Sequence, residues 1–316
     1  MITHALPRLL AVASVAALAA CSPRASDDSA MVRGDRAFAA GDMEEALAEY
    51  RLAVRQGGDD DPDVLARVAH TFSRMGRVDE AREFYREAAE RDERYRDQAV
   101  SDLVHLARDA RSRSDRFQMA SAVETALEFR PGLSVTDLAL PLARHYFQAG
   151  EFGRALPFYQ KALLAVSDST PEVVMEIGTA YHELGDCENG LVFFERFRDM
   201  VRPWERGEVD WYVGTCALEL AQQKRRRAER DTDMEEALRL VERTLEVGEP
   251  RNVQGQAWFE KGEILSEMAQ CDAALEAFRQ VRMAESSGSG ALVTRAEERI
   301  DEIRFGRGLA GIRGRC

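Results

Sequence analysis

Small and aromatic residues recur along the chain with a period of about 36 residues. A small residue stands at Gly34, Ala69, Ala107, Ala143, Gly178, Gly214 and Gly262. Sixteen residues after five of these positions comes an aromatic residue: Tyr50, Tyr85, Tyr159, Phe194 and Phe278. A small residue lets two helices approach closely, and an aromatic side chain fills the gap that remains between them. The pattern therefore predicts successive pairs of packed helices.

Helix-start and helix-end residues stand where such pairs need them. Gly150 and Gly185 are placed to end the first helix of a pair. Asp61 precedes Pro62 and Thr170 precedes Pro171, which puts proline at the first helical position. No pair can bury its apolar stripe alone, so we expect neighbouring pairs to stack into a solenoid.

The spacing, with Trp258 before Gly262 and the segment 126–131 as a unit ending, resembles the tetratricopeptide repeat, a helix–turn–helix unit. The resemblance covers residues 27–287. It implies an all-α, right-handed α-solenoid of about seven units. The sixth unit carries an insertion near residues 222–233, and Trp211 and Tyr212 offer it two alternative registers.

The residues after the last repeat predict a cap helix and a tail. An apolar face recurs through 291–305 at Leu292, Ala296, Ile300 and Ile303. A helix with that face suits the cap that repeat arrays need. Residues 306–316 are rich in arginine and glycine, and we predict a disordered basic tail.

The N-terminus has the pattern of an export signal. An apolar run, Leu9 to Ala20, is too short to cross a membrane, which takes about 20 residues, but suits a signal peptide. Leu18-Ala19-Ala20-Cys21 resembles the bacterial lipobox. This resemblance implies a signal peptide over 1–20, diacylglycerol and an N-acyl chain on Cys21, and a linker over 21–26. The alternative is an ordinary secretory signal with an incidental cysteine.

Ser22 bears on the membrane to which the protein is sorted. In lipoproteins of two-membrane bacteria, aspartate after the lipidated cysteine tends to retain the protein in the inner membrane. Serine there implies the periplasmic face of the outer membrane. The alternatives are the periplasmic face of the inner membrane and a secreted periplasmic protein.

Composition and charge exclude some functions. Fifty-six acidic and 43 basic residues give a formal charge of −13, which argues against nucleic-acid binding. A mean hydropathy of −0.38 argues against a polytopic membrane protein. The densest basic run, 224–230, is followed at once by acidic residues. It predicts a helix extension or a partner contact, with Thr232 and Glu235 as a capping box for the next helix.

The chemistry-bearing residues give little support for catalysis. The histidines show no metal-ligand spacing, and His182-Glu183 lacks the second histidine of a zinc-protease motif. The GxGxxG at 306–311 follows a helix rather than a strand. We predict no enzyme, no metal and no cofactor beyond the acyl chains. Cys187, Cys216 and Cys271 are expected as buried thiols without disulfides, with Cys316 free to cross-link.

The resemblance also implies a concave partner groove lined by the first helix of each unit. It nominates residues by their offset from the small position: Leu140, Arg144, Phe147, Met175, Thr179, His182, Trp211, Tyr212, Phe259 and Glu263. The alternative is that the superhelix or the C-terminal helix buries them. The Lys/Asn clamp that some relatives use for C-terminal carboxylates is absent from these positions.

Together these features predict a non-enzymatic, membrane-anchored adaptor that binds protein partners in the bacterial envelope. The chain looks like lipoproteins that act as pilotins of type IV pilus secretins or that assist outer-membrane β-barrel assembly. The second hypothesis is a regulatory scaffold for periplasmic cell-wall hydrolases or synthases. The sequence does not predict the oligomeric state.

Overall fold

A computed structural model of the chain describes residues 29–58, 61–165, 170–285, 290–306 and 316. Within these ranges it contains fifteen α-helices and no strand. The helices are α1 (Ala30–Ala40), α2 (Met43–Ala53), α3 (Pro62–Arg74), α4 (Val78–Arg91), α5 (Arg94–Ser112), α6 (Arg116–Phe129), α7 (Thr136–Gln148), α8 (Phe152–Ala165), α9 (Pro171–Glu183), α10 (Cys187–Met200), α11 (Gly207–Arg227), α12 (Asp231–Val247), α13 (Gln254–Glu267), α14 (Cys271–Ala284) and α15 (Ala291–Phe305).

The chain divides into two compact units. Unit 1 comprises the described residues up to Leu106 together with Ala122–Pro131, and unit 2 comprises Ala107–Ser121 and the described residues from Gly132 onward. In unit 1, α1 packs on α2 and α3 packs on α4. In unit 2 the pairs α7–α8, α9–α10, α11–α12 and α13–α14 pack in the same way, and α15 packs on α14. The predicted all-α solenoid of helix pairs is confirmed.

The predicted contacts between small and aromatic residues hold three of the pairs together. A Cβ atom placed on the glycine would lie 2.5 to 2.7 Å from the nearest ring carbon: Gly34 on Tyr50, Gly178 on Phe194 and Gly262 on Phe278. All three rings are buried. A larger residue at these glycines would overpack the interface, because the ring has no room to move.

The sixth pair is built differently. Gly214 faces the backbone of the following loop, so that a Cβ atom there would lie 1.7 Å from the Glu249 carbonyl oxygen. The buried Thr244 hydroxyl donates a hydrogen bond of 3.0 Å to the Gly214 carbonyl. α11 and α12 are long, at 21 and 17 residues, because the insertion extends both helices.

The predicted capping box of α12 is wrong. α12 begins at Asp231, one residue before the predicted cap Thr232. The carboxylate of Asp233 accepts hydrogen bonds from the backbone N–H groups of Glu229 (3.2 Å) and Arg230 (3.1 Å). A carboxylate binds such N–H groups more strongly than a hydroxyl does, and it is also favoured by the positive end of the helix dipole.

The four described cysteines form two disulfides, so the expectation of buried free thiols is wrong. Cys187 at the start of α10 is bonded to Cys216 in α11, with Cα atoms 5.0 Å apart. Cys271 at the start of α14 is bonded to Cys316, the last residue. The Cys316 N–H also donates a hydrogen bond of 3.2 Å to the Ser266 carbonyl. The end of the predicted disordered tail is therefore held against the last helix pair.

Several predicted features lie outside the described residues. These are the signal peptide over 1–20 with Leu18, Ala19 and Ala20, the lipidation site Cys21 with its linker, and residues 307–315 of the tail. The first described helix is capped by the Ser29 hydroxyl, which accepts a hydrogen bond from the Val32 N–H. No helix in the described part of the chain has both the length and the hydrophobicity to span a bilayer.

Candidate functional site

Five of the predicted groove residues come together on the first helices of the fifth and sixth pairs. Met175, Thr179 and His182 lie on α9, and Trp211 and Tyr212 lie on α11, which contacts α9. The ring of His182 is 5.0 Å from that of Tyr212 and 6.0 Å from that of Trp211, between centroids. The Trp211 and Tyr212 rings are 5.1 Å apart. We call these five residues the aromatic face.

Tyr212 anchors the aromatic face to the core of unit 2. Its ring stacks on buried Phe194 at a centroid distance of 4.7 Å, and Met175 packs against the same buried cluster. Trp211 is 43% exposed. An exposed indole on a rigid base is the kind of residue that dominates protein interfaces.

Carboxylates surround the aromatic face. Burial raises the pKa of Tyr212, and the nearby carboxylates of Glu208 and Glu183 raise it further, so the phenol stays protonated at neutral pH. Arg198 on α10 is bound to Asp210 at 2.5 Å. The surface therefore offers apolar contact with a negative rim.

The predicted groove residues of α7 contact side chains of neighbouring helices. The Arg144 guanidinium donates to the carboxylate of Glu176 at 3.1 Å, and the Tyr159 hydroxyl donates to the same carboxylate at 3.0 Å. Phe147 packs edge-on against Tyr159, and Leu140 is half-buried. Arg144 stays a predicted groove residue, and its ion pair with Glu176 joins α7 to α9.

Phe259 and Glu263 are corrected. Phe259 is only 8% exposed, lies against Phe278, and is covered on its face by the Arg295 guanidinium 4.7 Å from the ring centroid. Glu263 accepts a hydrogen bond of 2.8 Å from Arg299. Both arginines belong to α15, so the cap helix covers this part of the predicted groove.

The basic run at the end of α11 is largely paired within the chain. Lys224 binds Glu236 at 2.9 Å, and Arg225 reaches across to α13, where it binds Glu260 at 2.5 Å and Glu267 at 2.9 Å. The interpretation of this run as a helix extension agrees with these contacts. These two cations stabilise the sixth and seventh pairs and are not free for a partner.

Unit 1 contains a cavity that the sequence analysis did not nominate. It measures about 430 Å³ and is lined mainly by α1, α3 and α5: Asp35, Phe38, Tyr50, Asp63, Ala66, Arg67, His70, Tyr95 and Gln98. We call it the unit 1 groove. The family offsets identify part of it, since Asp35 and His70 directly follow the small positions Gly34 and Ala69. Other lining residues, such as Tyr95 and Gln98, do not stand at these offsets.

Two tyrosine–carboxylate pairs lie at the edge of the unit 1 groove. The Tyr50 hydroxyl donates to Asp35 at 2.7 Å, and Arg67 donates to the same carboxylate. The Tyr95 hydroxyl donates to Asp63. Burial and the adjacent carboxylate raise the pKa of Tyr50, and likewise of Tyr95, to about 12. Both phenols therefore remain neutral hydrogen-bond donors at physiological pH.

A buried carboxylate holds the inner wall of this groove. Asp102 accepts a hydrogen bond of 2.7 Å from His70 Nδ1 and another from the Tyr85 hydroxyl. Burial alone would raise the pKa of Asp102, but these two hydrogen bonds outweigh it and lower the pKa. The carboxylate is thus ionised and fixes the orientation of the His70 ring. Across the described residues, no cluster of three or more His, Cys, Asp or Glu side chains could hold a metal ion.

Comparisons with known proteins bear on the class of this molecule. Residues 62–95, which span α3 and α4, match the sequence model of the tetratricopeptide repeat. No curated protein matches the chain.

Solved structures of low similarity accompany this match. One is Naa15/Naa10 bound to HypK-THB, with 16% identity and a TM-score of 0.40 over 85% of this chain; the chain spans 38% of that structure. Another is the C-terminal part of a tetratricopeptide repeat-containing protein from Cytophaga hutchinsonii, with 14% identity, a TM-score of 0.32 and coverage of 85% and 98%. A third is YrrB, described as a tetratricopeptide repeat protein with an unusual peptide-binding site, with 17% identity, a TM-score of 0.34 and coverage of 68% and 97%.

The successive helix pairs define an α-helical repeat protein. The match over α3 and α4 identifies residues 62–95 as a tetratricopeptide repeat. Proteins that contain this repeat generally mediate protein–protein interactions.

Proposed function

We propose that this protein is a lipid-anchored adaptor of the bacterial envelope, whose aromatic face docks a protein partner during assembly of an envelope complex. The observation that carries the docking part is Trp211, a large exposed indole held by Tyr212, Phe194 and His182. A rigid aromatic side chain gives a large contact area while losing little conformational entropy on binding.

The cysteines support the location that we propose. Disulfides persist in oxidising compartments such as the bacterial periplasm and are rare in the cytosol. Four of the five cysteines of the chain are in the two disulfides, and the fifth is Cys21 in the lipobox-like sequence. This division agrees with a periplasmic fold in which Cys21 has a separate role as the acylated N-terminus.

The anchor is tested by mass spectrometry of the N-terminal peptide from the membrane fraction. A peptide that begins at Cys21 and carries diacylglycerol and an N-acyl chain would support the proposal. A mature N-terminus elsewhere, with unmodified Cys21, would overturn the anchor. Sorting between the outer and the inner membrane is then read from separated membranes, because Ser22 leads us to propose the periplasmic face of the outer membrane.

Docking is tested by cross-linking and affinity capture from native envelopes with the Trp211→Ala chain. We expect the partner complex to be lost or weakened by about tenfold or more, the usual loss for a central interface tryptophan. The matched control is Trp204→Ala, which removes a second tryptophan that is 73% exposed, on the connector before α11.

The outcomes separate the candidate functions. If the partner complex is lost with Trp211→Ala but still captured with Trp204→Ala, the result supports the aromatic face as the docking site. Equal capture by both variants and the unchanged chain removes the aromatic face from the proposal. The identity of the captured protein decides between an assembly complex and the cell-wall hydrolases or synthases of the second hypothesis.

A further inference from the structure

The unit 1 groove has the size of a ligand site and a mixed aromatic and polar lining. Its volume of about 430 Å³ lies within the range typical of ligand pockets. The ring of Phe38 packs on that of His70 at a centroid distance of 5.0 Å and forms an aromatic wall. Asp35 and Asp63 lie among its lining residues. The lining belongs entirely to unit 1 and shares no residue with the aromatic face.

The hydrogen-bond pattern leaves this groove rich in acceptors. The hydroxyls of Tyr50 and Tyr95 donate their hydrogens to Asp35 and Asp63. The phenol oxygens can therefore only accept further hydrogen bonds. The second carboxylate oxygen of each aspartate is likewise an acceptor. The Nδ1 atom of His70 is 2.7 Å from a carboxylate oxygen of Asp102, which fixes the orientation of the ring in the groove.

The charges in this groove point to a cationic ligand. Arg67 is the cation among the lining residues, and its charge is matched by Asp35. Asp63 is hydrogen-bonded to the neutral hydroxyl of Tyr95, while Arg94, the nearby cation, is bound to Asp92 at 2.6 Å. Arg94 attracts Asp63 only at longer range, and Asp63 forms no ion pair within the described residues.

We infer that the unit 1 groove binds the guanidinium or ammonium group of an arginine or lysine side chain on a protein partner, with Asp63 as its counter-ion and Phe38 as its aromatic contact. A planar guanidinium supplies several N–H donors to an acceptor-rich site and stacks on aromatic rings. This site is distinct from the proposed docking at Trp211. It gives the protein a second contact of defined chemistry.

The test is an NMR titration of the ¹⁵N-labelled full chain with the peptide acetyl-Ala-Ala-Arg-Ala-Ala-amide. We expect saturable shifts of the backbone amides of 35–38 and 63–70. The same peptide with citrulline, the neutral isostere of arginine, should give no saturable shift at these amides. Asp63→Asn, which keeps the shape of the side chain, should weaken binding of the arginine peptide by about tenfold.

Controls distinguish this site from general attraction to an acidic protein. Glu44→Gln removes the same charge from an exposed position on α2 in the same unit and should leave the affinity unchanged. Equal weakening by Glu44→Gln and Asp63→Asn, or equal binding of the citrulline peptide, would overturn the inference. So would shifts confined to the Trp211 indole, and that result would leave the proposed docking intact. Asp35→Asn is the second variant if Asp63→Asn does not fold.

Discussion

The Arg225→Ala chain is expected to lose about 3–5 kcal/mol of unfolding free energy, the usual loss when one partner of a buried ion pair is removed. Arg225 lies near the end of α11, and its side chain is 22% exposed. Its main partner, Glu260 on α13, has a side chain only 7% exposed. Without the arginine, this carboxylate would be left buried and uncompensated.

Three controls identify the source of this loss. Arg226→Ala removes the next arginine of the same run, which is exposed, and should change the stability by less than about 0.5 kcal/mol. Replacing both Arg225 and Glu260 by methionine should restore most of the stability, because no buried charge then remains. Urea unfolding followed by tryptophan emission suits the measurement, since Trp204, Trp211 and Trp258 all lie in unit 2. A loss below about 1 kcal/mol for Arg225→Ala would contradict the prediction.

Removing the disulfide between α10 and α11 is expected to cost about 3–4 kcal/mol, the chain-entropy value for a loop of this length. Cys187 and Cys216 are 29 residues apart in sequence. Both are buried, at 3% and 0% exposure. The Cys187→Ala/Cys216→Ala chain should therefore unfold at lower urea concentration, because its unfolded state is less restricted.

The second disulfide provides the comparison. The Cys271→Ser/Cys316→Ser chain keeps the first disulfide and lacks the second. Comparison of its unfolding with that of the unchanged chain shows how much of the stability lost on reduction comes from the bond at Cys316. Thiol titration of the denatured, unreduced chain should find no free thiol among the four paired cysteines. Four reactive thiols would show that the pairing is wrong, and unchanged stability of the first variant would contradict its predicted role.

The sequence predicted the helix pairs well because their packing depends on residues at fixed spacing. Gly178 and Phe194 are 16 residues apart, and this spacing was enough to predict that the Phe194 ring packs against Gly178 in the fifth pair. In the sixth pair the same offset failed, because the insertion lengthened both helices and brought the Glu249 carbonyl against Gly214. Local spacing cannot report a contact made by a loop 35 residues further along.

The candidate sites were predicted less completely. His182, Trp211 and Tyr212 meet as expected, since the family offsets placed them on neighbouring first helices. Phe259 is covered because Arg295 of the cap helix lies on its face, and the offsets contain no information about a helix that follows the repeats. The bond from Cys187 to Cys216 was missed because it joins two successive helix pairs within unit 2, and the spacing inside one pair does not report how neighbouring pairs pack.

The bond from Cys271 to Cys316 changes the covalent topology of the molecule. It closes residues 271–316 into a ring that contains α14 and α15. A protease that cuts once inside this ring produces two pieces that stay joined until a reductant opens the bond. An affinity tag appended after Cys316 would extend from a half-buried, cross-linked residue, so an internal surface site is the better place for a label.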